Sequence, residues 1–201
     1  MTIGARAPKQ DRSRKTHEQI LNATISCLQE FGYHNVSTIK VAKQAGLSQG
    51  AVFQRFPSKQ ILIVSAVSHY FEKLKSANLK DLDKFHAKLS LKKRAEMFVQ
   101  QYWDLARSSA FLCTQEVRIA ARTDPQLRKA LAPLAQEELQ KTTLAAVFSD
   151  HGDPKVLAPL GNIVWGALVS LAFDSKVLEN DAAYNKTITY LQKLVVRELS
   201  N

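Results

Sequence analysis

The segment from Ser37 to Phe56 constrains the fold of this 201-residue chain more than any other. Ser37 can cap a short helix whose inward positions are Val41, Ala42 and Ala45. Gly46 then stands where a helix end calls for positive φ, a conformation that costs glycine little. Leu47 turns back towards the core, and Ser48 caps a second short helix with Val52 and Phe56 facing inward. The spacing of Ala42, Gly46 and Val52 meets three separate demands. A small residue lets two helices cross closely, a glycine makes the turn between them, and a branched aliphatic locks the second helix. Other helical hairpins share one or two of these features, but this one also carries a polar outer face. The pattern predicts a helix-turn-helix over residues 37–56, whose second helix would lie in the major groove of DNA.

Charge points the same way. The chain carries 28 Lys/Arg against 18 Asp/Glu, a formal net charge of +10. The first 60 residues hold nine of those bases, among them Arg6, Lys9, Arg12, Arg14 and Lys15, and three acids. A merely basic surface would explain the total but not this asymmetry. Neutralising phosphates is what supplies the sequence-independent part of DNA affinity.

The periodicity is helical throughout, with no alternating strand pattern and no internal repeat, so the expected fold is all-α with about nine helices. Residues 1–13 read as a basic flexible arm. Thr16-His17-Glu18-Gln19 resembles a capping box that opens a helix with Ile20, Ala23, Cys27, Leu28 and Phe31 on its apolar face, closed by Gly32. Motif helices follow at about 37–45 and 48–55, then a fourth helix from Ser58, apolar as far as Leu74. Residues 14–74 would therefore be the DNA-binding domain. The polar stretch 75–90 reads as a frayed end and a loop. Helices are expected near 91–107, 110–122, 125–148, 154–174 and 181–199, with Asp124-Pro125 ending one and starting the next. Residues 75–201 would make up a second helical domain.

Catalytic and metal-binding readings find little support. The five histidines lack partners at ligand or catalytic spacing, and there is no glycine-rich phosphate loop or nucleophile elbow. Asp150-His151-Gly152-Asp153 is better read as a solvated loop than as a metal site. Cys27 and Cys113 sit in no redox or metal spacing, and Cys27 falls on an apolar helix face. The expectation is a non-enzyme that requires no metal or cofactor. With no apolar leader and no run of ~18 apolar residues, it is expected to be cytoplasmic and to have no membrane partner.

Residues 14 to about 74 resemble the DNA-binding domain of the TetR/AcrR family of bacterial transcriptional regulators. The resemblance rests on Ile20-Leu21-x-Ala23, Phe31-Gly32-Tyr33, Ser37-Thr38, Val41-Ala42, Ala45-Gly46-Leu47-Ser48, Gly50, Val52-Phe53, Phe56-Pro57-Ser58-Lys59 and Leu62. It implies a dimer that binds a palindromic operator in double-stranded DNA and responds to a small-molecule effector, with repression the simplest outcome. Activation or ligand-independent regulation are the alternatives, and a non-specific architectural protein is a more distant one. The family usually carries Tyr where this chain has Phe53 and often His where it has Arg55. One neutral phosphate contact would thus be exchanged for an ionic one.

Site residues follow from the motif and the resemblance. Thr38 and Lys40 would meet phosphate or the groove edge, and Ser48, Gln49 and Gly50 would occupy the first turn of the recognition helix. Gln49 is the candidate base reader, since its amide matches adenine N6 and N7. Phe53 and Arg55 lie further along that helix. Lys59, at the amino end of the fourth helix, would meet a phosphate. In the second domain, Phe98, Tyr102, Trp103, Phe111, Glu116 and Trp165 are candidate walls of an effector pocket. The last two helices are apolar over more than one face needs, so Leu160, Val164, Leu168, Ile188, Leu191 and Val195 are expected at a homodimer interface.

Overall fold

A computed structural model describes residues 8–86, 89–140, 144, 147–151, 153–178 and 181–200. Among them are nine α-helices and no strand: α1 Pro8–Asn35, α2 Thr38–Gln44, α3 Gln49–Phe53, α4 Lys59–His86, α5 Leu91–Ala106, α6 Ser109–Ala120, α7 Pro125–Gln140, α8 Pro154–Leu178 and α9 Asn185–Leu199. A short 3-10 turn, Asp181–Tyr184, precedes α9. Residues 1–7 of the expected basic arm, including Arg6, lie outside the described residues, as does part of the expected stretch between Gln140 and Phe148.

Three local readings need correction. The first helix begins at Pro8, so Thr16-His17-Glu18-Gln19 is no capping box. Thr16 sits mid-helix and its hydroxyl donates to the Arg12 carbonyl at 2.9 Å, while Gln19 Nε2 donates to the Ala45 carbonyl at 2.6 Å. Gln19 thus satisfies the carbonyl at the end of α2 instead of an amide at the start of its own helix. The stretch 75–90 is largely helix, because α4 continues to His86. Polar residues are no obstacle to a helix that the apolar turns before Leu74 have already nucleated. Finally, Lys155–Leu178 is long and apolar enough to cross a membrane by length and composition alone, contrary to the reading that no stretch is. Its Leu157, Leu160, Val164, Leu168 and Ala172 are buried in a helical core.

The helices form two compact units. One comprises the chain up to Leu74 together with Cys113–Pro133, and the other comprises Lys75–Leu112 with the chain from Leu134 onward. In the first unit Ile20, Val41, Val52, Leu62, Ile63 and Ala66 are wholly buried. Truncating one such aliphatic to alanine costs about 2–5 kcal/mol. Cys113 is buried there too, and its thiol is pushed up to about 12, first by burial and then by Glu116, so it stays protonated. In the second unit α5 packs against α8 and α9 around Phe98, Val99, Leu144, Phe148, Leu157 and Val195.

This second core corrects the expected dimer surface. Leu160, Val164, Leu168, Ile188, Leu191 and Val195 are at most 5% exposed within a single chain. They face α5 and one another, so none is available to a second copy. The apolar side chains left in solvent on α8 and α9 are Val156, Ile163, Val177, Leu178 and Tyr190. Apolarity alone did not reveal which side of each helix is taken up by the fold.

Candidate nucleic-acid interface

The geometry of the motif follows from local chemistry. The Ser37 side chain accepts from the Lys40 amide, and Ser48 accepts from the Ala51 amide at 3.2 Å, so each short helix has its cap. At the end of α2, the Leu47 amide donates to the Ala42 carbonyl at 2.9 Å and the Gly46 amide to the Lys43 carbonyl at 3.1 Å. That pair of bonds is a Schellman motif, with Gly46 at φ 63 in the left-handed position the motif requires. The Gln19 bond fastens this turn to α1. His17 stacks on Phe56 with ring centroids 5.0 Å apart, holding α1 against the chain just after α3.

With α3 so fixed, Val52 points into the core at 0% exposure, and Ser48, Gln49, Gly50, Phe53 and Gln54 are exposed. A Cβ on Gly50 would meet nothing nearer than Ser48 Oγ at 4.0 Å, which leaves a shallow place on the helix surface. Arg55 is half-buried, and its Nη1 donates to the Ala51 carbonyl at 3.2 Å, one turn back along the helix. Of the eight expected DNA contacts, Ser48, Gln49, Gly50 and Phe53 are therefore on the open face.

Thr38, Lys40 and Lys59 are less open. Thr38 is buried, 9% exposed. Gly32, at φ 68, breaks the helical course of α1, and two lysines serve carbonyls just beyond the break. Lys40 Nζ donates to the Asn35 carbonyl at 3.0 Å and lies 4.0 Å from the centre of the Phe31 ring. Lys59 Nζ donates to the His34 carbonyl at 3.2 Å and lies 4.7 Å from the Tyr33 ring. Both ammoniums cap a helix end and rest on an aromatic face. Burial lowers the Lys59 pKa, with Asp124 opposing. Motif position alone does not reveal these bonds, because the carbonyls they serve belong to a break in another helix. Among the described residues of α1 to α3, the exposed cations are Arg12, Arg14 and Lys15 on α1 and Lys43 on α2. Sequence reasoning counted Lys43 in the charge but gave it no role. It left Gln54 aside altogether.

Of the expected pocket residues, five are in the second unit and one is not. Phe98 stacks on Tyr102 at 4.4 Å, Tyr102 meets Trp165 edge-on at 5.4 Å, and Trp165 meets Phe111 at 5.0 Å. Trp103 packs instead beside Tyr184, 6.1 Å away. Glu116 belongs to the first unit, exposed, with its Oε2 3.3 Å from where a Gly32 Cβ would stand. A single helical turn separates the two environments on α6, so spacing could not distinguish them. A buried cation that sequence reasoning overlooked is Arg94, 3% exposed. Its guanidinium grips Asp150 with two bonds of 2.7 and 2.8 Å, lies 3.2 Å from His151 Nδ1 and donates to the Val147 carbonyl. Asp150 is thus an ion-pair partner and not merely part of a solvated loop.

A capped, glycine-turned pair of helices with an open polar face defines a helix-turn-helix DNA-binding protein. Residues 20–72 match the family of bacterial regulatory proteins, tetR family. The chain is 32% identical over 75 residues to the HTH-type transcriptional repressor KstR of Rhodococcus jostii, covering 37% of this chain and 35% of that protein. An uncharacterized HTH-type transcriptional regulator of Mycobacterium bovis is 24% identical over 168 residues, 80% of this chain and 85% of its own. The fold is that of the transcriptional regulator FadR from Bacillus subtilis, crystallised with stearoyl-CoA, with a TM-score of 0.65 at 18% identity, covering 89% of this chain and 97% of that one. Residues 20–72 thus belong with the tetR family of bacterial regulatory proteins.

Proposed function

We propose that this chain is a homodimeric repressor that binds a palindromic operator and is released from it by a small, largely apolar effector. The observation that carries the reading is the open face of α3, where Gln49, Gly50 and Phe53 are presented on a helix capped at one end and locked by Val52 at the other. Exposed Arg12, Arg14, Lys15 and Lys43 supply the phosphate contacts that position such a helix. The aromatic run Phe98, Tyr102, Trp165 and Phe111 suits an apolar ligand, and a regulator of the same fold holds stearoyl-CoA. Exposed Ile163, Val177 and Leu178 on α8 are the apolar surface that a second copy would cover. The unit containing the motif would bind DNA, and the other would bind the effector and dimerise.

Selection of duplexes from a random library with the purified protein tests this reading. An enriched inverted repeat with half-sites one helical turn apart supports it, and sequence-independent binding with a steep salt dependence favours an architectural protein instead. A thermal-shift screen including long-chain acyl compounds follows, each hit being added to the operator complex. Hits that stabilise the protein but leave operator affinity unchanged would remove the effector from the proposal.

A further inference from the structure

The reading surface of α3 bears no charge. Ser48 spends its hydroxyl oxygen on the Ala51 amide, Gly50 has no side chain, and Arg55 is folded back onto the Ala51 carbonyl. What remains exposed is Gln49, Phe53 and Gln54, with Phe53 at 45%. In the major groove, guanine is read by paired donors of Arg or Lys at O6 and N7, and this helix offers no such cation. An amide matches adenine N6 and N7, and the thymine 5-methyl is the apolar feature of the groove edge.

From this surface we infer that each half-site is specified through A·T pairs, with Gln49 bonding an adenine and the Phe53 ring packing on a thymine 5-methyl group. The inference rests on the DNA-binding reading above and adds the base chemistry that it recognises. Gln49 and Phe53 are four residues apart, hence neighbours on one helix face separated by about 6 Å along its axis. Base steps along one strand are about 3.4 Å apart, so the two side chains address positions one to two steps apart. Gly50, three residues before Phe53 and so its neighbour on the helix surface, has no side chain to keep the base edges from the backbone. Phe53 keeps 45% of its surface in solvent, more than the fold's own packing leaves open on the inward Val52 of α3. Covering a methyl group on a base edge removes apolar surface from water on both sides of the contact.

Single-atom changes in the DNA test the inference without altering the protein. In an operator selected by the full chain, each thymine is replaced in turn by deoxyuridine, which removes only the 5-methyl. Each adenine is likewise replaced by 7-deazaadenine, which removes N7. One thymine per half-site should lose about 4-fold in affinity, the worth of one buried methyl. That penalty should vanish in Phe53→Ala and persist in part in Phe53→Leu, which keeps an apolar contact. An adenine one or two steps away should be sensitive to loss of N7 in the wild type and insensitive in Gln49→Ala. Thermal unfolding of the variants verifies that they fold, as Phe53 and Gln49 contribute little to the core. Uniform tolerance of deoxyuridine, a penalty that Phe53→Ala leaves intact, or a half-site whose discriminating positions respond to 7-deazaguanine would overturn the inference. Failure to enrich any sequence would instead overturn the DNA-binding reading itself.

Discussion

The Tyr33 hydroxyl donates to Asp124 Oδ2 at 2.7 Å, across 91 residues of chain. Gln60 Nε2 donates to the same oxygen at 3.3 Å, and the other oxygen accepts the Leu127 amide at 2.9 Å. One carboxylate therefore caps α7 and ties the end of α1 and the start of α4 to it. These bonds, the Leu127 amide first and Tyr33 next, hold the Asp124 pKa below its usual value. Burial, and then the bond to Asp124, keeps the Tyr33 hydroxyl protonated well above the usual range. This carboxylate explains why Cys113–Pro133 belongs with the helix-turn-helix unit. Tyr33→Phe and Asp124→Ala should each lower the urea midpoint, and the double variant should lose less than the sum of the two. Additive losses would show that the pair is not coupled.

Acid sensitivity is expected to begin at His69. Its Nε2 is buried without a hydrogen-bond partner among the described residues, and burial first, then Lys73, lowers its pKa. Below about pH 6.5 an unfolded histidine takes up a proton that folded His69 refuses, so stability falls as pH drops from there through the folded value. Urea unfolding at pH 7.5, 6.5 and 5.5 should show this slope, and His69→Gln should flatten it. An unchanged slope in the variant would assign the acid sensitivity to another group.

Asp150→Ala should cost about 2 kcal/mol, because it leaves the buried Arg94 guanidinium short of its two strongest bonds. The figure is held down by the 48% exposure of the Asp150 side chain, which lets water replace part of the pair. Arg94→Met, which removes the buried charge as well, should cost less. The Asp150 pKa is depressed chiefly by Arg94, so the pair's contribution is present above about pH 4 and is lost as pH falls through the lower folded value. Guanidinium titrations at pH 7 rank the two variants.

On the selected operator, Gln49→Ala should lose about 1–3 kcal/mol and relax one base position. Lys43→Ala, at an exposed cation on α2, should weaken all sequences alike and make the salt slope shallower by about 1. Lys59→Ala should lower thermal stability as well, since its ammonium serves the His34 carbonyl. Binding titrations at several salt concentrations separate these effects. A Gln49→Ala protein with unchanged base preference would remove that residue as the reader.

Ile163→Glu and Leu191→Glu should fail in different ways. Ile163 is 59% exposed, so a charge there should abolish a dimer and leave the fold intact. Leu191 is 5% exposed, and a glutamate there would be buried in the α5–α8–α9 core and unfold it. Light scattering combined with thermal unfolding distinguishes the two outcomes. An Ile163→Glu protein that keeps a dimer mass would move the interface elsewhere.

What the sequence determined by itself is local. Ser37 and Ser48 as caps, Gly46 as the left-handed turn, the break at Gly32 and the inward Val41, Ala42 and Val52 all depend on residues within about one helical turn, so spacing alone shows them. The same spacing puts Gln49 and Phe53 on the outer face, where both are exposed. Tertiary structure decided everything that depends on which distant surface meets which. Lys40 and Lys59 face helix-end carbonyls, Asp124 meets Tyr33, and Arg94 meets Asp150 across 56 residues. The apolar residues of α8 and α9 divide in the same way. Hydropathy marks both sides of such a helix equally, and only the packing of α5 buries Val164 and leaves Ile163 in water. A side chain's type fixes what it can bind, but its partner is set by how the chain closes on itself.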